Sequence, residues 1–152
     1  MFELIQSISI DAAAGLAKGS ASIPADHPLL ADHFPDAPLL PGSLLIEIAA
    51  QIAGPLAEQV LKLRLDVELW SILGMIRNAK FLRPVPVPAT IALSAEVRRF
   101  ELSSVALAVQ AHEGEQPVMR AELVMMMLEA APEWDAAIRA RHERIAAWKG
   151  IT

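Results

Sequence analysis

Between residues 33 and 51 the chain reads His-Phe-Pro-Asp-Ala-Pro-Leu-Leu-Pro-Gly-Ser-Leu-Leu-Ile-Glu-Ile-Ala-Ala-Gln. Two of the titratable side chains in this stretch, His33 and Glu47, stand fourteen positions apart. A neutral imidazole titrates near working pH and can take a proton from carbon. A carboxyl group can give up a proton only while it still holds one, and Leu44, Leu45, Ile46 and Ile48 around Glu47 supply an apolar setting that favours the neutral acid. Base and acid together suit an elimination, in which one group removes a proton and the other protonates the departing oxygen. Gly42 falls where a helix must start after the prolines, and the unpaired amides and dipole of such a start favour an oxyanion. Its missing side chain either admits a reacting group at close range or only permits the turn after Pro41. Gln51, one helical turn past Glu47, either orients that carboxyl group or contacts a second chain.

The segment resembles the active-site signature of the β-hydroxyacyl-acyl carrier protein dehydratases, both the general and the dehydratase/isomerase type. In that family a histidine in a His-Phe-Pro context precedes a Pro-Gly at a helix start, and an acid follows fourteen positions after the histidine. His33, Pro41, Gly42 and Glu47 occupy those places, and Gln51 matches a recurrent glutamine. Downstream, Gly74-Met-Ile-Arg-Asn-Ala-Lys-Phe-Leu-Arg-Pro-Val85 is similar to a family strand ending in Arg/Lys-Phe-x-Arg-Pro-Val. By element order and these two motifs the resemblance covers Phe2 to Met127.

It implies a hot-dog fold and a lyase that removes water from a 3-hydroxyacyl thioester, leaving a trans-2-enoyl thioester, in fatty-acid or related polyene and lipid biosynthesis. His33 would act as the base at C2 and Glu47 as the acid toward the hydroxyl, with Gly42, Gln51, Phe34 and Phe81 binding substrate. No cofactor and no metal are implied. The expected partner is an acyl carrier protein. The expected assembly is a homodimer, or a higher oligomer of dimers, with sheets joined edge to edge and His33 of one chain facing Glu47 of the other. Asp36 in place of a usual glycine, Arg77 in place of a common acid, Pro88-Ala-Thr in place of Pro-Gly-Asp, and the absence of Tyr depart from the pattern. These departures leave the acyl chain open, with a specialised pathway as plausible as housekeeping synthesis.

The surrounding pattern predicts the elements that must position these residues. Loosely alternating apolar residues from Phe2 to Ile10, turn chemistry at Asp11 to Gly15 and a second run from Leu16 to Ile23 predict a hairpin. Five prolines between Pro24 and Pro41 predict an ordered loop, since proline fits neither a helix interior nor a central strand. Leu45, Ile48, Ala49, Ile52, Ala53, Leu56 and Val60 recur at helical spacing, predicting one long helix capped by Ser43, bent by Pro55 and buried nearly all round. Runs over 68–82, 90–100, 103–112 and 118–128 predict an antiparallel, strongly curved sheet. The sum is an α+β layout in which a sheet wraps a long central helix. A second helix after Pro132, with Trp134, Ile138, Ile145 and Trp148 on one stripe, is expected outside the sheet or against a partner. Residues 1–131 thus read as the hot-dog unit and 132–152 as a helical extension of the same domain.

Bulk properties remove other classes. A 152-residue chain with 54% apolar and 20% charged residues is a packed globular protein of one domain. Without cysteine there is no disulfide framework, thiolate metal site or Cys nucleophile. A net charge of −5 without a basic block, with only 5% aromatics, argues against nucleic acid. The start lacks signal-peptide character, and Glu47 inside the most apolar segment argues for a core helix over a membrane span, so a cytoplasmic location is expected. Arg77, Lys80, Arg83, Arg98 and Arg99 form either a solvated strand face or a docking patch for the acidic carrier. The methionines at 125–127 are either adaptable core packing or the lining of an acyl tunnel. His27, His112 and His142 have no acid at a telling spacing and read as surface or loop residues. Rival readings are a hot-dog acyl thioesterase and a catalytically silent acyl-binding partner subunit.

Overall fold

The computed structural model describes residues 4–31 and 36–151. Six strands form one antiparallel sheet: β1 (Ile5–Asp11), β2 (Leu16–Ile23), β3 (Trp70–Phe81), β4 (Ala89–Phe100), β5 (Ser104–Glu113) and β6 (Gln116–Leu128). Their order is β1-β2-β4-β5-β6-β3, which leaves β1 and β3 as the edges. The first hairpin closes where Asp11 Oδ1 accepts from the Ala14 amide at 3.0 Å and Gly15 takes a left-handed φ of 69°, a conformation that costs glycine little. Gly114, at φ 59°, does the same between β5 and β6.

Alternation decides which face meets the core. On β4, Ile91, Leu93 and Ala95 are buried while Glu96 and Arg98 are exposed; on β6, Met119, Ala121, Leu123, Met125 and Met127 point inward. Against this inner face lies α1 (Gly42–Leu65), which runs unbroken through Pro55. Among the described residues it is the one helix long and apolar enough to cross a membrane, yet 72% of its most apolar stretch is buried in this fold. Its apolarity is therefore matched to the sheet that covers it. Burial is not complete: Glu47, Ala50, Gln51, Glu58 and Gln59 are half-buried, and the last turn from Lys62 to Leu65 is exposed.

Two expectations about the helices are corrected. Ser43 does not cap α1. The cap is Pro41, whose extended backbone (φ −62°, ψ 141°) turns its carbonyl toward the amides of Leu44 and Leu45 at 3.0 and 3.2 Å. Ser43 is an exposed residue inside the first turn, so proline's fixed φ, not a hydroxyl, sets where the helix starts. The other end is closed by Asp66 in the left-handed conformation, its amide donating to Lys62 O at 3.1 Å.

The second helix, α2 (Asp135–Ile151), does not lie on the outside of the sheet. It packs on β1, reaches α1 through side chains, and adds Ile145 and Trp148 to the same buried core. Arg141 on α2 reaches Glu58 on α1 and Ser71 on β3. The expected stripe divides: Trp134 stays largely exposed and instead packs against Trp70, ring centres 5.0 Å apart.

Candidate active site

The two sequence motifs meet in space. The segment before α1 is stitched to the segment after β3 by hydrogen bonds from Leu40 N to Val85 O at 2.8 Å and from Val87 N to Pro38 O at 3.2 Å. Leu40 and Val85 are both buried beneath this bridge, so the start of the helix cannot drift relative to the end of β3. A side chain at Gly42 would place its Cβ 2.8 Å from Cε1 of Phe81 and 3.0 Å from Cδ1 and Cζ. The space that glycine leaves is thus taken by the Phe81 ring, so a larger residue here would press on that ring.

Glu47 lies just over one turn into α1, half-buried, while Leu44, Leu45, Ile46 and Ile48 around it are all in the core. Gln51 Nε2 donates to Glu47 Oε1 at 2.9 Å, so the amide one turn later holds one carboxylate oxygen and leaves Oε2 for other chemistry. His33 and Phe34 lie outside the described residues. The histidine–glutamate geometry expected from the sequence is therefore carried here by its acid half alone.

Inward residues of β3 run Ser71, Leu73, Ile76 and Phe81, opposite Met127, Met125, Leu123 and Met119 of β6. The face of α1 that carries Glu47 also carries Gly54 and meets β3 there, since a Cβ at Gly54 would lie 2.7 Å from Ser71 Oγ. Met125 and Met127 are buried on this inner side and Met126 is exposed on the outer one. The methionine run therefore belongs partly to each face.

The basic residues are distributed by strand register. Arg77 and Arg99 approach the same carboxylate, Glu122, at 3.8 and 3.1 Å, and Arg98 pairs with Glu96 at 3.4 Å. Lys80 sits opposite Arg120 across the β3–β6 pair, and Lys80 and Arg83 are exposed on either side of Phe81.

One polar cluster has no counterpart in the sequence reading. Glu58 Oε1 accepts from Ser71 N at 2.9 Å, Ser71 Oγ at 2.8 Å and Arg141 Nη1 at 2.5 Å, and Oε2 lies 3.8 Å from His142 Nε2. His142 thus has an acid neighbour after all. The cluster joins α1, β3 and α2, separations of 13 and 83 residues along the chain, and no local pattern signals such a contact.

A curved antiparallel sheet around one buried helix, with a carboxylate near the start of that helix, defines the chain as a hot-dog protein. Solved structures agree: the dehydratase heterocomplex ApeI:P of Xenorhabdus doucetiae superposes with a TM-score of 0.66 at 13% identity, covering 89% of this chain and 88% of that one. Smu.793 of Streptococcus mutans, bound to acetyl-CoA, gives 0.64 at 12% identity over 84% and 90%. A thioesterase of Pseudomonas aeruginosa, PA1618 in its Q49A form, gives 0.57 at 13% over 75% of each chain. These likenesses establish the fold.

Sequence comparison narrows it to a family. The ApeI-like family, described as ApeI dehydratase, matches residues 9–120. The 3-hydroxyacyl-acyl-carrier-protein dehydratase FabZ of Chlamydia trachomatis serovar L2 is 35% identical over 103 residues, 68% of this chain and 67% of its own length. That of Caulobacter vibrioides NA1000 is 31% identical over 116 residues, 76% and 72%. The chain belongs to the ApeI-like dehydratases.

Proposed function

We propose that this dehydratase removes water from a 3-hydroxyacyl thioester carried by an acyl carrier protein, with His33 as base and Glu47 as acid, in the cytoplasm. The observation that carries the reading is the half-buried Glu47 carboxyl group, held by Gln51 among buried aliphatic side chains, in a chain of dehydratase family. The His33 imidazole takes the C2 proton, the electron pair forms the C2–C3 double bond, and the C3–O bond breaks. Glu47 donates its proton to the departing hydroxyl, and the product water leaves. The negative charge that grows on the thioester oxygen faces the amides at the start of α1, where the helix dipole also favours it.

Homodimerisation through the β3 edge supplies His33 from one chain to Glu47 of the other in this reading. Support comes from the edge itself: among the described residues β3 pairs only with β6, and its inward Ile76 and Phe81 are 46% and 51% exposed. Lys80 and Arg83, flanking Phe81, receive the acidic carrier.

Loss of water from carrier-bound 3-hydroxyacyl substrate, followed by mass, tests the reaction. Glu47→Gln keeps the shape but removes the proton, and turnover is expected to fall by about a thousandfold with the fold intact, within the range for general acid–base catalysis. Undiminished turnover in that variant would remove Glu47 from the mechanism. Free thiol without enoyl product would identify a thioesterase instead.

A further inference from the structure

We propose that the cleft between α1 and α2 binds a small neutral molecule with an apolar body and one hydrogen-bond donor, an aliphatic alcohol being the simplest. The site stands apart from the dehydration chemistry, because Glu58 follows Glu47 by eleven residues, about 16 Å along the helix axis.

The cleft has a volume of about 430 Å³, within the range of small-molecule sites, about 300–1,000 Å³. Pro55 on α1, Leu69 just ahead of β3, and Ile145 and Ala146 on α2 give it apolar walls, and Glu58 and His142 belong to its polar lining. The Glu58 side chain is 10% exposed, and its two oxygens are used unequally. Oε1 accepts from Ser71 N, Ser71 Oγ and Arg141 Nη1. Oε2 accepts no hydrogen bond from any described residue, and His142 Nε2, 3.8 Å away, is too far to give one. Tying α1, β3 and α2 together therefore takes Oε1 alone. The second oxygen keeps its accepting capacity on a cleft-lining residue, and an acceptor shielded from water without a partner costs free energy.

Charge decides what that oxygen accepts from. Arg141 already offsets the Glu58 carboxylate, and Lys62 and Glu68, which also line the cleft, pair with each other at 3.4 Å. A ligand cation would meet the guanidinium beside Glu58 and a ligand anion the carboxylate itself, each giving up hydration that the apolar walls do not return. A neutral hydroxyl on an apolar body loses least. The body leaves water against Pro55, Leu69, Ile145 and Ala146, and the O–H donates to Oε2 in a charge-assisted hydrogen bond. The body supplies affinity; the hydrogen bond supplies selection.

The test titrates the full-length protein with octanol, with its isomer heptyl methyl ether, which has the same atoms and no donor, and with octylamine. Binding is followed by tryptophan fluorescence, since Trp148 is 9% exposed on α2 three residues past Ile145 and Trp70 follows Leu69. Octanol is expected to bind about tenfold more tightly than the ether, the effect of one hydrogen bond to a charged group, and more tightly than the amine. Glu58→Gln can keep the three donors on its amide oxygen while its NH2 group takes the place of Oε2, so the octanol-to-ether preference should fall to about one. Ala146→Phe, at an exposed helix position that lines the cleft, should fill the cleft and abolish binding with Glu58 and its partners intact. Circular dichroism checks folding; if Glu58→Gln unfolds, Ala146→Phe is read in its place. Wild-type protein that binds octanol and the ether alike, that binds octylamine most tightly, or that shows no saturable change overturns the proposal. So does a folded Glu58→Gln variant with the preference unchanged, or an Ala146→Phe variant that binds octanol as the wild type does.

Discussion

Glycine 42 shows how one residue type acquires its reason from a neighbour. Helix propensity alone favours alanine over glycine by up to about 1 kcal/mol, less at the first turn, yet the Phe81 ring occupies the site of the missing methyl group. The Gly42→Ala variant is therefore expected to be neutral or destabilised by about 1 kcal/mol, because the ring is half-exposed and can move at modest cost. In a Phe81→Ala background the same substitution should stabilise by a few tenths of a kcal/mol. Chemical denaturation of the four proteins gives the coupling, expected near 1 kcal/mol; additive effects would show that ring and helix start do not press on one another. The Glu47–Gln51 contact was open to reading in advance, since residues four apart on a helix are neighbours. The Phe81 contact was not, because residues 42 and 81 are joined only by the fold.

Among the described elements, β3 is an edge strand that leaves much of its apolar surface uncovered. It spans twelve residues, all but three of them exposed, and carries apolar Ile72, Met75, Ile76 and Phe81 on an edge. A long apolar edge left open invites pairing with another strand. If two copies join there, Ile76→Asp sets like charges near each other in the joined sheets and should convert the dimer to monomer in light scattering. On the proposed reading, in which each site draws on both chains, turnover should fall with it by about tenfold or more. A variant that keeps the wild-type mass and rate would place the interface elsewhere. The boundaries of β3 follow from its alternation and β-rich composition, whereas its place beside β6 rather than β4 is a matter of topology that no local pattern encodes.

For the whole molecule, charge has to be read with its partners. The net charge is −5, so an acidic carrier would be repelled overall and must be received by a local basic patch. Of the five basic residues singled out from sequence, Arg77, Arg98 and Arg99 are tied to Glu122 and Glu96, while Lys80 and Arg83 flank the Phe81 end of the site. Reversing Lys80 and Arg83 to Glu is expected to raise KM about tenfold for carrier-bound substrate at low salt, with a smaller effect at high salt and none for a small thioester analogue. Equal effects on both substrates would argue that the patch shapes the site and does not dock the carrier.

Taken without its structure, the chain determined every strand and both helices to within a few residues, because period-2 and period-3.6 burial are local consequences of backbone geometry. It also determined the spacing of His33 and Glu47 and the match of both motifs to one family. What tertiary structure decided were the contacts between residues far apart in sequence: Phe81 over Gly42, α2 against α1 in place of the sheet's outer face, and Arg141 and Ser71 around Glu58. A covalent chain records which residues neighbour one another along it. Contacts closed across loops depend on the packing of all elements at once, so they become legible only when the sheet has wrapped its helix.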